Sequence, residues 1–278
     1  MGPDSSLLLR IFFVSIEIIK SDKKISAFTP SGIHVRIQQI MKEPENIEQF
    51  IAEQKLRLAQ DPKCASSYYN LGVAFMNQGK FDDAIDAFEQ AISESGRMFE
   101  AFVNLGYIYF KEGDLERVVK ANLRAVEVEP RYARGYANLG FAHLQMGKTD
   151  EAIEALNKSL ELNPEIVQAW CNLANAYLQK GDIEKSIETN KKMLELAPDF
   201  ALGYNNLANA YYMKGQFNEA IQYCDKASEM GFEVHTEFLK LLEPHRRKAI
   251  KPTAKNSKTK QSKTESKTKK TGKAKKSG

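Results

Sequence analysis

Residues Ala65 to Gly79 read Ala-Ser-Ser-Tyr-Tyr-Asn-Leu-Gly-Val-Ala-Phe-Met-Asn-Gln-Gly, and the centre of that stretch returns down the chain. Asn70-Leu71-Gly72 is followed by Asn104-Leu105-Gly106, Asn138-Leu139-Gly140, Asn172-Leu173-Ala174 and Asn206-Leu207-Ala208, each 34 residues after the last. An aromatic stands two residues before every Asn (Tyr68, Phe102, Tyr136, Trp170, Tyr204), and a glycine nine residues after it (Gly79, Gly113, Gly147, Gly181, Gly215). A fixed period of this size, kept without insertion or deletion, marks a chain of stacked units that bury their apolar faces against one another.

One unit reads as a pair of helices. Tyr68, Leu71, Gly72 and Phe75 fall at i, i+3, i+4 and i+7, one face of a helix over about Ala65 to Gln78. Gly79 then supplies the left-handed conformation that closes it. A second helix starts near Phe81 and carries Ala84, Ile85, Phe88, Ala91 and Ile92 at the same spacing. Small residues recur where the two helices would cross: Gly72 with Ala84, Gly106 with Val118, Gly140 with Ala152, Ala174 with Ser186, and Ala208 with Ala220. Pro130, Pro164 and Pro198 end the unit, and Pro62 closes a lead-in helix at the same phase.

This pattern resembles the tetratricopeptide repeat, whose aromatic, Leu-Gly, Tyr, Ala, Phe, Ala and Pro columns are met in turn. Trp170, Leu173, Ala174 and Tyr177 give the fullest match, followed by Tyr136, Leu139, Gly140, Ala152 and Pro164. Departures are His143 for tyrosine, Val118 and Ser186 for alanine, and Gly96 and Phe232 for proline. The resemblance implies an all-α, right-handed superhelical solenoid of helix-turn-helix units over 65–98, 99–132, 133–166, 167–200 and 201–234. A cap helix is expected over 44–64 and another over 235–245, ended by Pro244. Five units exceed the ~3 that a stable stack needs.

Charge is unevenly shared. Arg246 to Gly278 carries 14 Lys or Arg and one acid, Glu265, so it holds +13 while the remaining residues, 26 basic against 35 acidic, hold −9. Without an aromatic, that Lys-rich tail of 246–278 is expected to be disordered. It offers non-specific electrostatic contact with RNA or DNA, contact with an anionic surface, or simple solvation of an acidic body. At the other end, 1–43 reads as an N-terminal extension. Leu7 to Ile19 is apolar but interrupted by Arg10 and Glu17, too short to span a bilayer, and Asp4 argues against an export signal. Val14 to Ile18 alternates like a strand, with Gly32 to Ile40 as its expected partner, and the folded part is expected to begin near Met41.

No catalytic constellation is visible. His34, His143, His235, His245, Cys64, Cys171 and Cys224 show no metal-ligand spacing and no nucleophile with a base, so neither an enzyme nor a cofactor is expected. Three scattered cysteines suit a reducing, cytoplasmic setting. What is left is a binding surface. The resemblance places the first helix of each unit on the concave side, where Asn70, Asn104, Asn138, Asn172 and Asn206 would form a ladder for an extended peptide. Beside it come Val73 and Met76, Tyr107 and Phe110, Phe141 and Leu144, Asn175 and Leu178, and Asn209 and Tyr212, aromatic toward the first units and amide-rich toward the last. The same Asn column would alternatively support the fold.

The family's carboxylate clamp for chaperone tails is not met, because Tyr69, Val73 and Asn138 occupy its positions although Asn104 and Arg134 fit. The ladder is closer to that of the O-linked sugar transferase repeats. The expected function is a scaffold or adaptor that takes a peptide or partner helix in its groove. A nucleic-acid-associated adaptor using the tail is the alternative.

Overall fold

The computed structural model describes residues 44–250, which form twelve α-helices and, among the described residues, no strand. Helix α1 (Pro44–Gln60) leads. Five pairs follow: α2 (Ala65–Asn77) with α3 (Phe81–Glu94), α4 (Phe99–Glu112) with α5 (Leu115–Val128), α6 (Ala133–Gln145) with α7 (Thr149–Leu162), α8 (Val167–Lys180) with α9 (Ile183–Leu196), and α10 (Ala201–Met213) with α11 (Phe217–Glu229). Helix α12 (Thr236–Ile250) closes the stack. The all-helical repeat architecture read from the 34-residue columns is the one observed. Residues 1–43 and 251–278, with the strand reading and most of the tail that fall on them, lie outside the described residues.

The columns have local causes. At each of Gly79, Gly113, Gly147, Gly181 and Gly215 the backbone is left-handed, with φ between 74° and 88°. The residue after each glycine then donates its N–H to a carbonyl five residues back, as Lys80 does to Phe75 and Asp114 to Tyr109, both at 2.9 Å. That closes the first helix and starts the second in one turn. The aromatic column has a polar use as well: Trp170 Nε1 donates to the Pro164 carbonyl at 2.7 Å, and the Tyr204 hydroxyl donates to the Pro198 carbonyl at 3.0 Å. Each ring thereby ties its own helix to the turn that precedes it.

Within a unit the two helices cross closely. A methyl group on Gly140 would stand 2.4 Å from Leu156 Cγ, so only hydrogen fits there. Ala84, Val118, Ala152 and Ala220 are fully buried at the same crossing. Where Ala174 and Ala208 replace glycine, the facing residues are the smaller Asn190 and Cys224 rather than Phe88 or Leu156. In the second unit Gly106 itself faces Asn122, so the exchange of volume holds for the other four crossings and not for that one.

Both end helices depart from expectation in a detail. On α1, a helix shorter than the 44–64 expected, Ile51 and Gln54 are buried against the first unit while Leu56 is 63% exposed. On α12, Phe238 and Leu242 seal the last unit, yet the helix does not stop at Pro244 and continues to Ile250. The boundary expected at 245, and with it the start of the tail at Arg246, is therefore corrected. Proline removes one backbone donor, a cost that tertiary anchors offset here. The His245 ring stacks on Phe217 at 3.5 Å between centroids, and the Arg246 guanidinium grips both carboxylate oxygens of Asp225, one of them at 2.9 Å.

Candidate peptide-binding groove

The first helices of successive units pack directly on one another, α2 on α4, α6 on α8 and α8 on α10, while consecutive second helices make no comparable contact. The stack therefore curves with the first helices inside. The Asn column lies where the first helices meet their neighbours, and that packing encloses most of it.

The ladder expected to stand open is closed at four of its five rungs. Asn138 is 1% exposed, Asn104 and Asn206 2%, and Asn172 3%, and each amide bonds a neighbour. Asn104 Nδ2 donates to the Tyr69 hydroxyl at 3.4 Å, Asn138 Nδ2 to Asn122 Oδ1 at 3.1 Å, and Asn206 Nδ2 to Asn175 Oδ1 at 3.1 Å, while Asn172 Oδ1 accepts from Gln168 Nε2 at 3.1 Å. Asn70 alone is half-buried, donating to Gln54 Oε1 at 3.1 Å. Phe141, Asn175 and Asn209 are also buried, Asn209 Nδ2 donating to the Asn205 carbonyl at 3.1 Å. Burial pushes the Tyr69 hydroxyl up to about 12, so it is a neutral acceptor for Asn104 at any physiological pH.

Of the remaining expected site residues, Tyr107 and Phe110 are half-buried. Phe110 meets Phe141 edge-on at 5.5 Å, and the Lys111 ammonium sits 5.5 Å from the Tyr107 ring centre. These contacts hold the two rings as a fixed aromatic step on the inner face, with Met76 half-buried on the preceding unit.

Sequence reading passed over two sets of residues here. One is the column seven residues after each ladder Asn, on the same helix face: Asn77, Lys111, Gln145 and Gln179. Asn77 and Lys111 are exposed, Gln145 and Gln179 half-buried, and Gln145 Nε2 and Gln179 Oε1 have no hydrogen-bond partner among the described residues. The other is the set of core amides Gln54, Asn122 and Asn190, spaced by 68, which back the ladder from the second helices. The first set follows the 34-residue period itself, and the second shows as a spacing once a period of two units is sought.

Other chemistries find little support. Among the described residues no group of three or more His, Cys, Asp or Glu is placed to hold a metal ion, and no helix is long and apolar enough to cross a membrane. Cys171 is enclosed and burial pushes its thiol up to about 12; burial likewise raises Cys224.

A family model for the tetratricopeptide repeat matches residues 65–95, 133–166, 167–200 and 201–230, and a second, described as TPR repeat, matches 106–147. The chain belongs to the tetratricopeptide repeat family. A comparison with curated protein sequences finds no match. Among solved structures, the chain is similar to MamA protein, with 28% identity over 60% of this chain and 91% of that one at a TM-score of 0.57. It is similar also to MamA from Desulfovibrio magneticus RS-1, with 20% identity over 60% and 94% at 0.57. A third likeness is to YrrB, described as a TPR protein with an unusual peptide-binding site, with 16% identity over 70% and 97% at 0.60. The last two likenesses show the fold alone. The first agrees with the stacked-repeat fold.

Proposed function

We propose that this protein is a non-catalytic adaptor whose inner face holds an extended peptide of a partner protein. The observation that carries the reading is the pairing, on one face, of a fixed aromatic step with amides whose hydrogen-bonding capacity is unspent. Tyr107 and Phe110 supply apolar anchors, and Gln145 Nε2 and Gln179 Oε1 supply a donor and an acceptor on the next two units. Neighbouring packed helices lie roughly 8 to 10 Å apart, about three residues of extended chain, so successive units can meet a strand at a regular interval. In this reading Asn70, Tyr107 and Phe110 touch the ligand directly. Asn104, Asn138, Asn172 and Asn206, with Phe141, Asn175 and Asn209, hold the inner wall in shape, and a ligand reaches them only by exchanging an existing bond.

The test is selection of a random peptide display library on the whole protein. Enriched peptides should lose about tenfold or more in affinity for Tyr107→Ala/Phe110→Ala, because buried aromatic anchors dominate such surfaces. Peptides that bind that variant as well as the parent would refute the reading.

A second role follows from charge alone. The +13 carried by Arg246 to Gly278 favours non-specific contact with RNA or DNA by this segment, independent of the groove. Removing 251–278 should abolish salt-sensitive retention on heparin and on unrelated nucleic acids. Retention that survives the deletion would place nucleic-acid contact on the repeats.

A further inference from the structure

The three core amides that precede a ladder Asn by 16 residues do not behave alike. Gln54 Oε1 accepts from Asn70 at 3.1 Å and Asn122 Oδ1 accepts from Asn138 at 3.1 Å. Asn190, 68 residues after Asn122, is 1% exposed and its Oδ1 has no partner. Its other end is held as in the earlier unit: Asn190 Nδ2 donates to the Ser186 carbonyl at 3.1 Å, as Asn122 Nδ2 does to Val118 at 2.9 Å. The donor that the register assigns to Asn190 is Asn206. It turns instead to Asn175 Oδ1 at 3.1 Å, with Cys171 Sγ at 3.5 Å.

The sequence explains the divergence. Two units earlier, the places of Asn175 and Cys171 are held by Tyr107 and Val103, neither of which offers an amide oxygen. Asn138 therefore has one amide acceptor within its register and Asn206 has two. An unmatched buried acceptor is costly, which would ordinarily select against such a site. At this junction the cost is nearly the same in either arrangement, because whichever oxygen Asn206 leaves is the one orphaned.

We infer that Asn206 is a two-position switch at the junction of the fourth and fifth units, its amide passing between Asn175 on the inner face and Asn190 in the core. The move exchanges one amide–amide bond for another and gives up only the long 3.5 Å contact with Cys171 Sγ. One consequence rests on the groove reading above. A backbone N–H of a bound peptide that takes Asn175 Oδ1 displaces Asn206 onto Asn190, so that the bond given up is replaced by one that satisfies the orphan. Ligand and junction are then coupled through one side chain.

A double-mutant cycle on the full chain tests the switch without any ligand. Asn175→Ala leaves Asn206 with Asn190, Asn190→Cys leaves it with Asn175, and the pair leaves it with neither amide. The melting midpoint of the double variant should lie roughly 2 to 6 °C below the value expected from adding the two single shifts. Asn190→Cys alone should not lower the midpoint, since Cys224 holds that place opposite an alanine in the fifth unit. The same change at Asn122, whose oxygen is in use, should lower it by roughly 2 to 6 °C. Additive shifts in the cycle, or equal losses from Asn190→Cys and Asn122→Cys, would overturn the switch. These melts involve no peptide, so their failure is separable from failure of groove binding.

Discussion

A buried amide stabilises through the atoms that find a partner and costs through those that do not, and Asn138 shows both, its Nδ2 bonded to Asn122 and its Oδ1 enclosed without a partner. Replacing Asn138 by Ala removes the donor to Asn122 and strands a fully buried oxygen, so unfolding free energy should fall by about 1 to 3 kcal/mol in denaturant melts. The cysteines differ for a related reason. Hydrogen bonds with Ser66 and Ser67 hold the Cys64 thiol below its ordinary value, whereas burial raises Cys171 and Cys224. Iodoacetamide should therefore label Cys64 in the native protein and the other two only after unfolding, with mass spectrometry as the readout; early labelling of Cys171 would contradict its enclosure. His143 occupies the column that holds Tyr109, Tyr177 and Tyr211 in other units, with Nδ1 buried and unmatched. Burial, the largest effect on the ring, lowers its pKa from 6.5. The unfolded chain then binds a proton where the folded one does not, so this contribution is complete above about pH 6.5 and is lost as pH falls through the lower folded value. Midpoints should drop as pH falls below about 6.5, and His143→Tyr should flatten that part of the profile.

Helices and their boundaries were legible wherever a local chemical rule repeated five times. The glycine column, the aromatic column and the small crossing residues each reflect a backbone or steric demand within one unit, and the helices begin and end where those demands place them. Gly140→Ala, which sets a methyl against Leu156, should cost about 1 to 3 kcal/mol, and Leu105→Ala about 2 to 5 kcal/mol by opening the core. What was not legible depended on contacts between units. Nothing local to α12 shows that His245 and Arg246 would find Phe217 and Asp225 and carry the helix through Pro244. The openness of the Asn ladder was misjudged for the same reason: face can be read from spacing, but the curvature that brings α2 onto α4 and α8 onto α10 cannot. The two-unit period of Gln54, Asn122 and Asn190 was present in the sequence all along, hidden because the stronger 34-residue columns occupy the eye first.

At the scale of the molecule, stability accumulates along the stack, and the proposed function assigns recognition to its inner side. The account expects 1–40 to be dispensable: a chain beginning at Met41 should melt cooperatively and within a few degrees of the full chain, and loss of cooperativity would show that the preceding residues complete the first unit. The central claim concerns the inner side itself, and a photo-crosslinker placed on it tests that claim most directly. A benzophenone amino acid would replace Tyr107 on the inner face of α4 in one protein and exposed Gln90 on α3 in another, each irradiated with a library-selected peptide and mapped by mass spectrometry. Adducts are expected from position 107, suppressed by excess unlabelled peptide, and none above background from position 90. Specific adducts from position 90 with none from 107 would put the binding surface on the second helices and contradict that claim.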